Sequence, residues 1–300
     1  MIFVDGLGLG KEDRVNNPLV YASTPRLSKF LQGEKLTCDS AGVDAEKVSL
    51  LKLDSTLGVQ GLPQSASGQA ALFTGKNAPR LLGRHLNGFP NRRLKELLKE
   101  HNLFNRLQKQ GYRVAFLNAY RSEFFYDLRE GLQYNHSCST LMTYYAGVKF
   151  RSLEDLQQGQ AVYMDITNQV LNSSGYRVEL ITPEKAADNA AKLAERKEFT
   201  LFEYFLTDVI GHQKDPSAAA EKVETLDRFV ARVLQNLDLN HTLLLLVSDH
   251  GNIEEIDHPR HTYNPVPFIV GGPLEWRYRA RECMEDITGV APFVQEYLKG

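Results

Sequence analysis

Residues 243–252 read LLLLVSDHGN. The apolar run is too short for a buried helix and has no polar face, so it predicts a strand covered on both sides. It stops abruptly at Asp249, His250 and Gly251, and in open α/β sheets ligands bind just beyond the carboxyl ends of the strands. Working outward, the same kind of run recurs at 1–4 (MIFV), 113–117 (RVAFL), 201–206 (LFEYFL) and 267–270 (PFIV). Between the runs, residues 93–110, 183–196, 217–237 and 287–298 carry apolar residues at spacings of three and four and predict helices. Thr182-Pro183 and Asp215-Pro216 are cap and first-residue pairs that start two of them. Strands alternating with helices predict an α/β protein with helices layered on a sheet. Residues 122–180 break the rhythm with an aromatic and polar run, then AVYMD and a Ser-Ser-Gly turn. They read as a cap or insert in a core made of residues 1–121 and 181–300.

Composition bounds the function. The 300 residues include 35 basic and 37 acidic side chains, a net charge of -2, so no global field favours nucleic acid or an anionic membrane. Any anion site has to be local. The three cysteines, Cys38, Cys138 and Cys283, form no CxxC pair and leave an odd thiol, which points to the cytoplasm rather than to a secreted disulfide framework. The start of the chain has no basic n-region, and no run approaches the roughly 18 apolar residues of a membrane span.

Three strand candidates end in an aspartate: Asp5, Asp208 and Asp249. One alone is most often a turn or cap residue; three at one sheet edge converge. Each has histidine company. Asp208 and His212 lie four apart in TDVIGH, where a turn brings both to one ion. Asp249 and His250 are adjacent and free to serve different ions. His261 sits in the proline-rich HPRHTYNPVPF. A further segment, PQSASGQAALFTG at 63–75, reads as a turn entering a helix whose amide groups suit an anion. Ser65 and Ser67 there are ordinary caps by themselves and candidate nucleophiles beside a metal. GLGLG at 6–10 lacks the spacing of a dinucleotide loop, and its glycines read as letting the chain turn past Asp5.

VDGLG, SASGQ, TDVIGH, SDHGN and HTYNPVP, in this order, resemble the metalloenzyme branch of the alkaline phosphatase superfamily, the branch of cofactor-independent phosphoglycerate mutase and phosphopentomutase. The resemblance runs over residues 1–80 and 195–275. It implies a three-layer α/β/α alkaline-phosphatase-like core, here with a small inserted cap, and two divalent ions, Mn or Zn. Asp208, His212 and His261 would hold one ion; Asp5, Asp249, His250 and Ser65 would hold the other. Ser65 would be the nucleophile, since the family's serine stands three residues before the glycine, here Gly68. The CxPxR-like setting of sulfatases is absent.

The large arginine-bearing domain of the mutases has no room in this chain, so their substrate does not carry over. Arg121, Arg84 and His85 are the candidates for gripping a second anionic group of the substrate, Arg121 first because it follows a strand end. The expected activity is metal-dependent hydrolysis of a small phosphoester through a phosphoserine. The alternatives are a phosphomutase acting on a small phosphorylated metabolite and a non-catalytic metal-binding module.

Overall fold

The computed structural model describes residues 1–300. Eight strands form: β1 (Ile2–Val4), β2 (Val48–Leu53), β3 (Val114–Phe116), β4 (Ala119–Tyr120), β5 (Arg151–Ser152), β6 (Phe199–Tyr204), β7 (Leu244–Val247) and β8 (Val266–Gly271). Six of them make one mixed sheet in the order β2-β8-β7-β1-β6-β3, and β4 and β5 pair separately. β1 lies parallel between β6 and β7, with Ile2 opposite both Phe202 and Leu246. β8 runs antiparallel to both β7 and β2.

The apolar runs are explained by what covers them. Along β1, Ile2 and Val4 face one buried cluster with the Pro183–Ala194 and Pro216–Asn236 helices. Phe3 faces the other cluster, with the Ser65–Thr74, Arg92–His101 and Val290–Lys299 helices. A strand whose two faces both meet helices favours apolar residues on both, and the result is a three-layer α/β/α core. Burying one leucine or phenylalanine contributes about 1.5–3 kcal/mol, so the dozens of residues in the two clusters dominate the favourable side of folding.

The expected helices form, with boundaries set by caps. Thr182 accepts from Lys185 N, and Asp215 accepts from the Ser217 and Ala218 amides. The stretch at 93–110 divides into Arg92–His101 and Leu103–Lys109, because buried Asn102 leaves the helical conformation and caps the second piece by accepting from Asn105 N. The 287–298 stretch begins as a 3-10 turn before its helix. One strand of the main sheet escaped the periodicity, as did the two-residue β4 and β5. β2 reads VSLLKL with Lys52 exposed, the mixed pattern of a strand at the sheet's edge.

Residues 122–180 are not carried on a linker. Cys138, Leu141 and Met142 from the Cys138–Tyr145 helix join the cluster around Phe3, and Val162 and Ile166 join the one around Ile2. No helix is long and apolar enough to cross a membrane.

Candidate metal centre

Asp5, Asp208 and Asp249 follow the three neighbouring strands β1, β6 and β7, so parallel pairing alone brings their backbones to one edge. Two groups of ligand atoms form there, Asp208 with His212 and His261, and Asp5 with Asp249 and His250, each group within 4.8 Å. His212 and His261 approach Asp208 from either side, each with Nε2 at 3.4 Å from a carboxylate oxygen. His212 Nδ1 lies 2.7 Å from the Pro259 carbonyl and His261 Nδ1 2.8 Å from the Pro63 carbonyl. A carbonyl only accepts, so each Nδ1 carries the proton and each Nε2 is left as a lone-pair donor.

The second group is deeper. Asp249 and His250 are fully buried, and Asp5 and Ser65 are each 8% exposed. His250 Nε2 stands 2.9 Å from Ser65 Oγ, 3.2 Å from Asp5 Oδ1 and 3.5 Å from Asp249 Oδ2. The His250 and His261 rings stack with centroids 3.7 Å apart, joining the two groups. Adjacent Asp249 and His250 therefore face the same group, not two different ones.

The charges are out of balance as they stand. Burial and the Asp5 carboxylate push the Asp249 carboxyl well up. Burial opposes a charge on His250, yet Asp249 and Asp5 hold its ring at about 10. Burial raises Asp208, but the neighbouring His212, His261 and His250 side chains more than offset it and hold the carboxyl far below its ordinary range. Asp5 Oδ1 and Asp249 Oδ2 are buried with no hydrogen-bond partner. Buried carboxyl oxygens left without hydrogen-bond partners, beside imidazole nitrogens, fit divalent cations of the borderline kind that take mixed oxygen and nitrogen ligands.

Neighbouring side chains fix the ligands. Gln69 Nε2 donates to Asp5 Oδ2 at 2.9 Å, and Asn252 Nδ2 donates to Asp208 Oδ1 at 2.7 Å. Glu254, 1% exposed, accepts from the Gly8 and Asn252 amides, from Thr262 Oγ1 and from Asn264 Nδ2. One carboxylate thus ties together the loops after β1 and β7 and the loop before β8. The glycines of these loops follow from it: a Cβ at Gly8 or at Gly251 would lie 2.1 Å from Glu254 Oε1. Gly6, at φ +71, has its Cβ space taken by Asp208. Side chains, rather than an ion, occupy the space these glycines leave.

Ser65 opens the Ser65–Thr74 helix, which is buried all round because its residues are small. At Gly68 a Cβ would meet the Asp249 carbonyl at 3.0 Å, so the glycine sets how closely the serine's helix approaches the metal-ligand loop. No side chain caps this helix, and the Ser65 and Ala66 amides have no backbone acceptor.

A family model described as the metalloenzyme superfamily matches residues 1–292. The chain belongs to that superfamily. The 2,3-bisphosphoglycerate-independent phosphoglycerate mutase of Moorella thermoacetica is 32% identical over 125 residues, 39% of this chain and 24% of that protein. The corresponding mutase of Thermococcus kodakarensis is 24% identical over 158 residues, 47% of this chain and 38% of that protein. The matched stretches thus span less than half the length of these relatives. In fold, the Leishmania mexicana phosphoglycerate mutase aligns with a TM-score of 0.59 at 10% identity, over 99% of this chain and 94% of that one. A cold-active alkaline phosphatase from Shewanella aligns at 0.52 and 11% identity, over 99% of both chains. The architecture is alkaline-phosphatase-like, and the superfamily implies divalent metal ions.

This metalloenzyme-superfamily chain places Arg121 in the wall of a cavity that also exposes Asp5, Ser65 and Asp208. Arg84 and His85 do not line that cavity, which corrects their grouping with Arg121. His85 Nε2 instead bonds the Val59 carbonyl at 3.2 Å, and burial lowers its basicity. Gln69, Asn252, Glu254 and Glu203 were missed by reading ligand types alone. Gln69 is legible as one helical turn beyond Ser65, Glu254 as four residues beyond His250, and Glu203 as an acid inside an otherwise apolar strand. Glu203 is 4% exposed, lines the same cavity, accepts from Ser139 Oγ at 2.6 Å, and burial pushes its carboxyl up to about 7.

Proposed function

We propose that the chain is a dinuclear-metal enzyme that hydrolyses a small phosphoester through a phosphoserine at Ser65. The observation that carries the proposal is Ser65 itself: a hydroxyl at an uncapped helix N-terminus, 2.9 Å from His250 Nε2 and beside two groups of candidate ligands, one of them wholly buried. Asp208, His212 and His261 hold one ion, and Asp5, Asp249, His250 and Ser65 the other; Mn and Zn both suit the ligand set. When bound, the ions supply positive charge that lowers the serine hydroxyl's pKa and offsets charge on the phosphoryl oxygens.

The chain's own groups do the rest. Gln69 and Asn252 hold Asp5 and Asp208 in one rotamer, so the site is organised before substrate arrives. The free Ser65 and Ala66 amides and the helix dipole favour a phosphoryl oxygen at the same end. Ser65 Oγ gives up its proton and attacks phosphorus as the ester oxygen leaves on the opposite side and takes a proton to become the alcohol; water then attacks the phosphoserine, a proton returns to Ser65 Oγ, and inorganic phosphate is released. Residues 122–180 act as a cap, contributing Phe124, His136 and Tyr163 among others to the cavity wall.

Similarity to mutases over part of the chain supports a second reading, in which the phosphoryl group returns to another hydroxyl of the same molecule. Turnover in oxygen-18 water separates the two. Hydrolysis puts the label into released inorganic phosphate; isomerised substrate with no free phosphate overturns hydrolysis in favour of the mutase. A metal-loaded protein inactive on phosphomonoesters, phosphodiesters and sugar phosphates supports the non-catalytic module instead. Compartment follows the cysteine argument: Cys38, Cys138 and Cys283 are all free thiols, which supports a reducing compartment such as the cytoplasm.

A further inference from the structure

The cavity that exposes Asp5, Ser65 and Asp208 measures about 690 Å³. That is in the range, about 300–1,000 Å³, of sites that enclose whole organic molecules rather than a phosphoryl group alone. What lies beyond the phosphoryl position is therefore recognised too, and the lining indicates its chemistry.

The lining includes five aromatic rings, Phe89, Tyr120, Phe124, Tyr163 and Phe205. Tyr120 and Phe124 stack with centroids 4.0 Å apart, and Phe150 packs edge-on against them at 5.2 and 4.8 Å. This part of the wall is braced, because Tyr120 and Phe124 are each held by other rings. His136 stands edge-on to Phe124 at 5.6 Å and is bonded to Asp127, which also accepts from the Gln133 and Tyr134 amides.

Charge points the same way. The lining contains one arginine, Arg121, against the carboxylates Asp5, Glu123, Glu203 and Asp208. Asp5 and Asp208 are accounted for by the metal groups. Glu123 accepts from Tyr176 Oη, Glu203 accepts from Ser139 Oγ, and His136 is matched to Asp127. Arg121, exposed and in no ion pair, is the one arginine there, so rings outnumber cations in the lining.

We infer that the site takes phosphomonoesters whose organic part is ring-bearing. This rests on the phosphoryl-transfer reading above. Phe89, Tyr120 and Phe124 are the specificity-determining residues.

The test is calorimetric binding of three non-hydrolysable probes to protein loaded with Mn or Zn, after its metal content has been measured: orthophosphate, benzylphosphonate and 3-phosphonopropionate. The two phosphonates differ in carrying a ring or a carboxylate. Benzylphosphonate should bind about tenfold or more tighter than 3-phosphonopropionate. Phe89→Ala, at a half-exposed ring that the fold does not depend on, should weaken benzylphosphonate about three- to tenfold and leave orthophosphate unchanged. Phe124→Leu, which keeps an apolar side chain, should act in the same direction. Equal or tighter binding of 3-phosphonopropionate, or substitutions that weaken all three probes alike, overturns the subsite while orthophosphate binding leaves the phosphoryl reading standing. If orthophosphate itself fails to bind the metal-loaded protein, the phosphoryl reading falls and the subsite falls with it.

Discussion

His212 Nε2 and His261 Nε2 face each other 3.2 Å apart, and each ring has its other nitrogen tied to a proline carbonyl. Both Nδ1 atoms are protonated by that bond, so two lone pairs converge beside the Asp208 carboxylate with no proton between them. Two neutral imidazoles do not attract each other this way; a cation between them and the carboxylate makes the arrangement favourable. Protein stripped with chelator and then reconstituted should bind two divalent ions per chain, read by elemental analysis. Asp208→Ala should remove one, Asp249→Ala the other. Asn252→Ala should weaken the first ion by about 10–100-fold through loss of the carboxylate's orientation, with little effect on the second. Equal losses at both ions would break the assignment.

Ser65→Ala should lower kcat by several orders of magnitude while unfolding stability changes by less than about 1 kcal/mol, since no large apolar group is lost. Ser67→Ala should show the opposite profile. Its hydroxyl accepts from Leu86 N at 2.9 Å and donates to the Gln64 carbonyl. Removing it should cost about 1–2 kcal/mol of stability with a modest change in turnover. Urea denaturation and steady-state kinetics on both variants separate the roles; reversed profiles would make Ser67 the nucleophile.

The contact of Gly8 with Glu254 predicts a coupled pair. Gly8→Ala places a methyl group 2.1 Å from Glu254 Oε1 and should destabilise by about 1–3 kcal/mol. Glu254→Ala leaves two buried amides and the Thr262 and Asn264 groups without their acceptor and should cost at least as much. The double variant should cost less than the sum by about 0.5–3 kcal/mol, because the second change makes room for the first. Additive effects in the double-mutant cycle would show that Glu254 is not what excludes a side chain at position 8.

Glu203 gives a pH signature of the fold. Burial lifts its carboxyl from an ordinary 4.5 to about 7. Between those pH values the unfolded chain has released the proton and the folded chain has kept it. Stability therefore falls as pH rises through that window and levels off above it. For this one group the loss is on the order of 2–3 kcal/mol. Glu203→Gln, which retains an acceptor for Ser139 Oγ, should remove that component, so that the stability difference between variant and parent grows between pH 4.5 and 7. Metal-free protein followed by urea denaturation across that range checks it; parallel curves would mean the carboxyl titrates near its ordinary value.

Much of this protein is written locally. The runs MIFV, LFEYFL and LLLLVS are apolar because helices cover both faces of the sheet, and that requirement acts on each strand residue by residue. The Thr182-Pro183 and Asp215-Pro216 starts are local too, as a cap hydroxyl or carboxylate reaches amides two or three residues on. Asp208 and His212, four apart on one helix, need no distant partner to face the same way. What the chain does not write locally is adjacency. Asp5 meets Asp249 because β1 lies next to β7, and His261 reaches Asp208 because its loop is anchored on Pro63, far away in sequence. Strand order and long-range anchors are decided by packing the whole core, where many weak contacts are satisfied together. For the same reason the strand at 48–53, at the sheet's edge with Lys52 exposed, and the break at Asn102 do not show in the periodicity. Arg121 is set apart from Arg84 in the sequence only by following a strand end; it is the tertiary structure that puts Arg121 in the cavity wall and leaves Arg84 outside it, since a side chain's exposure to a site depends on where its loop packs.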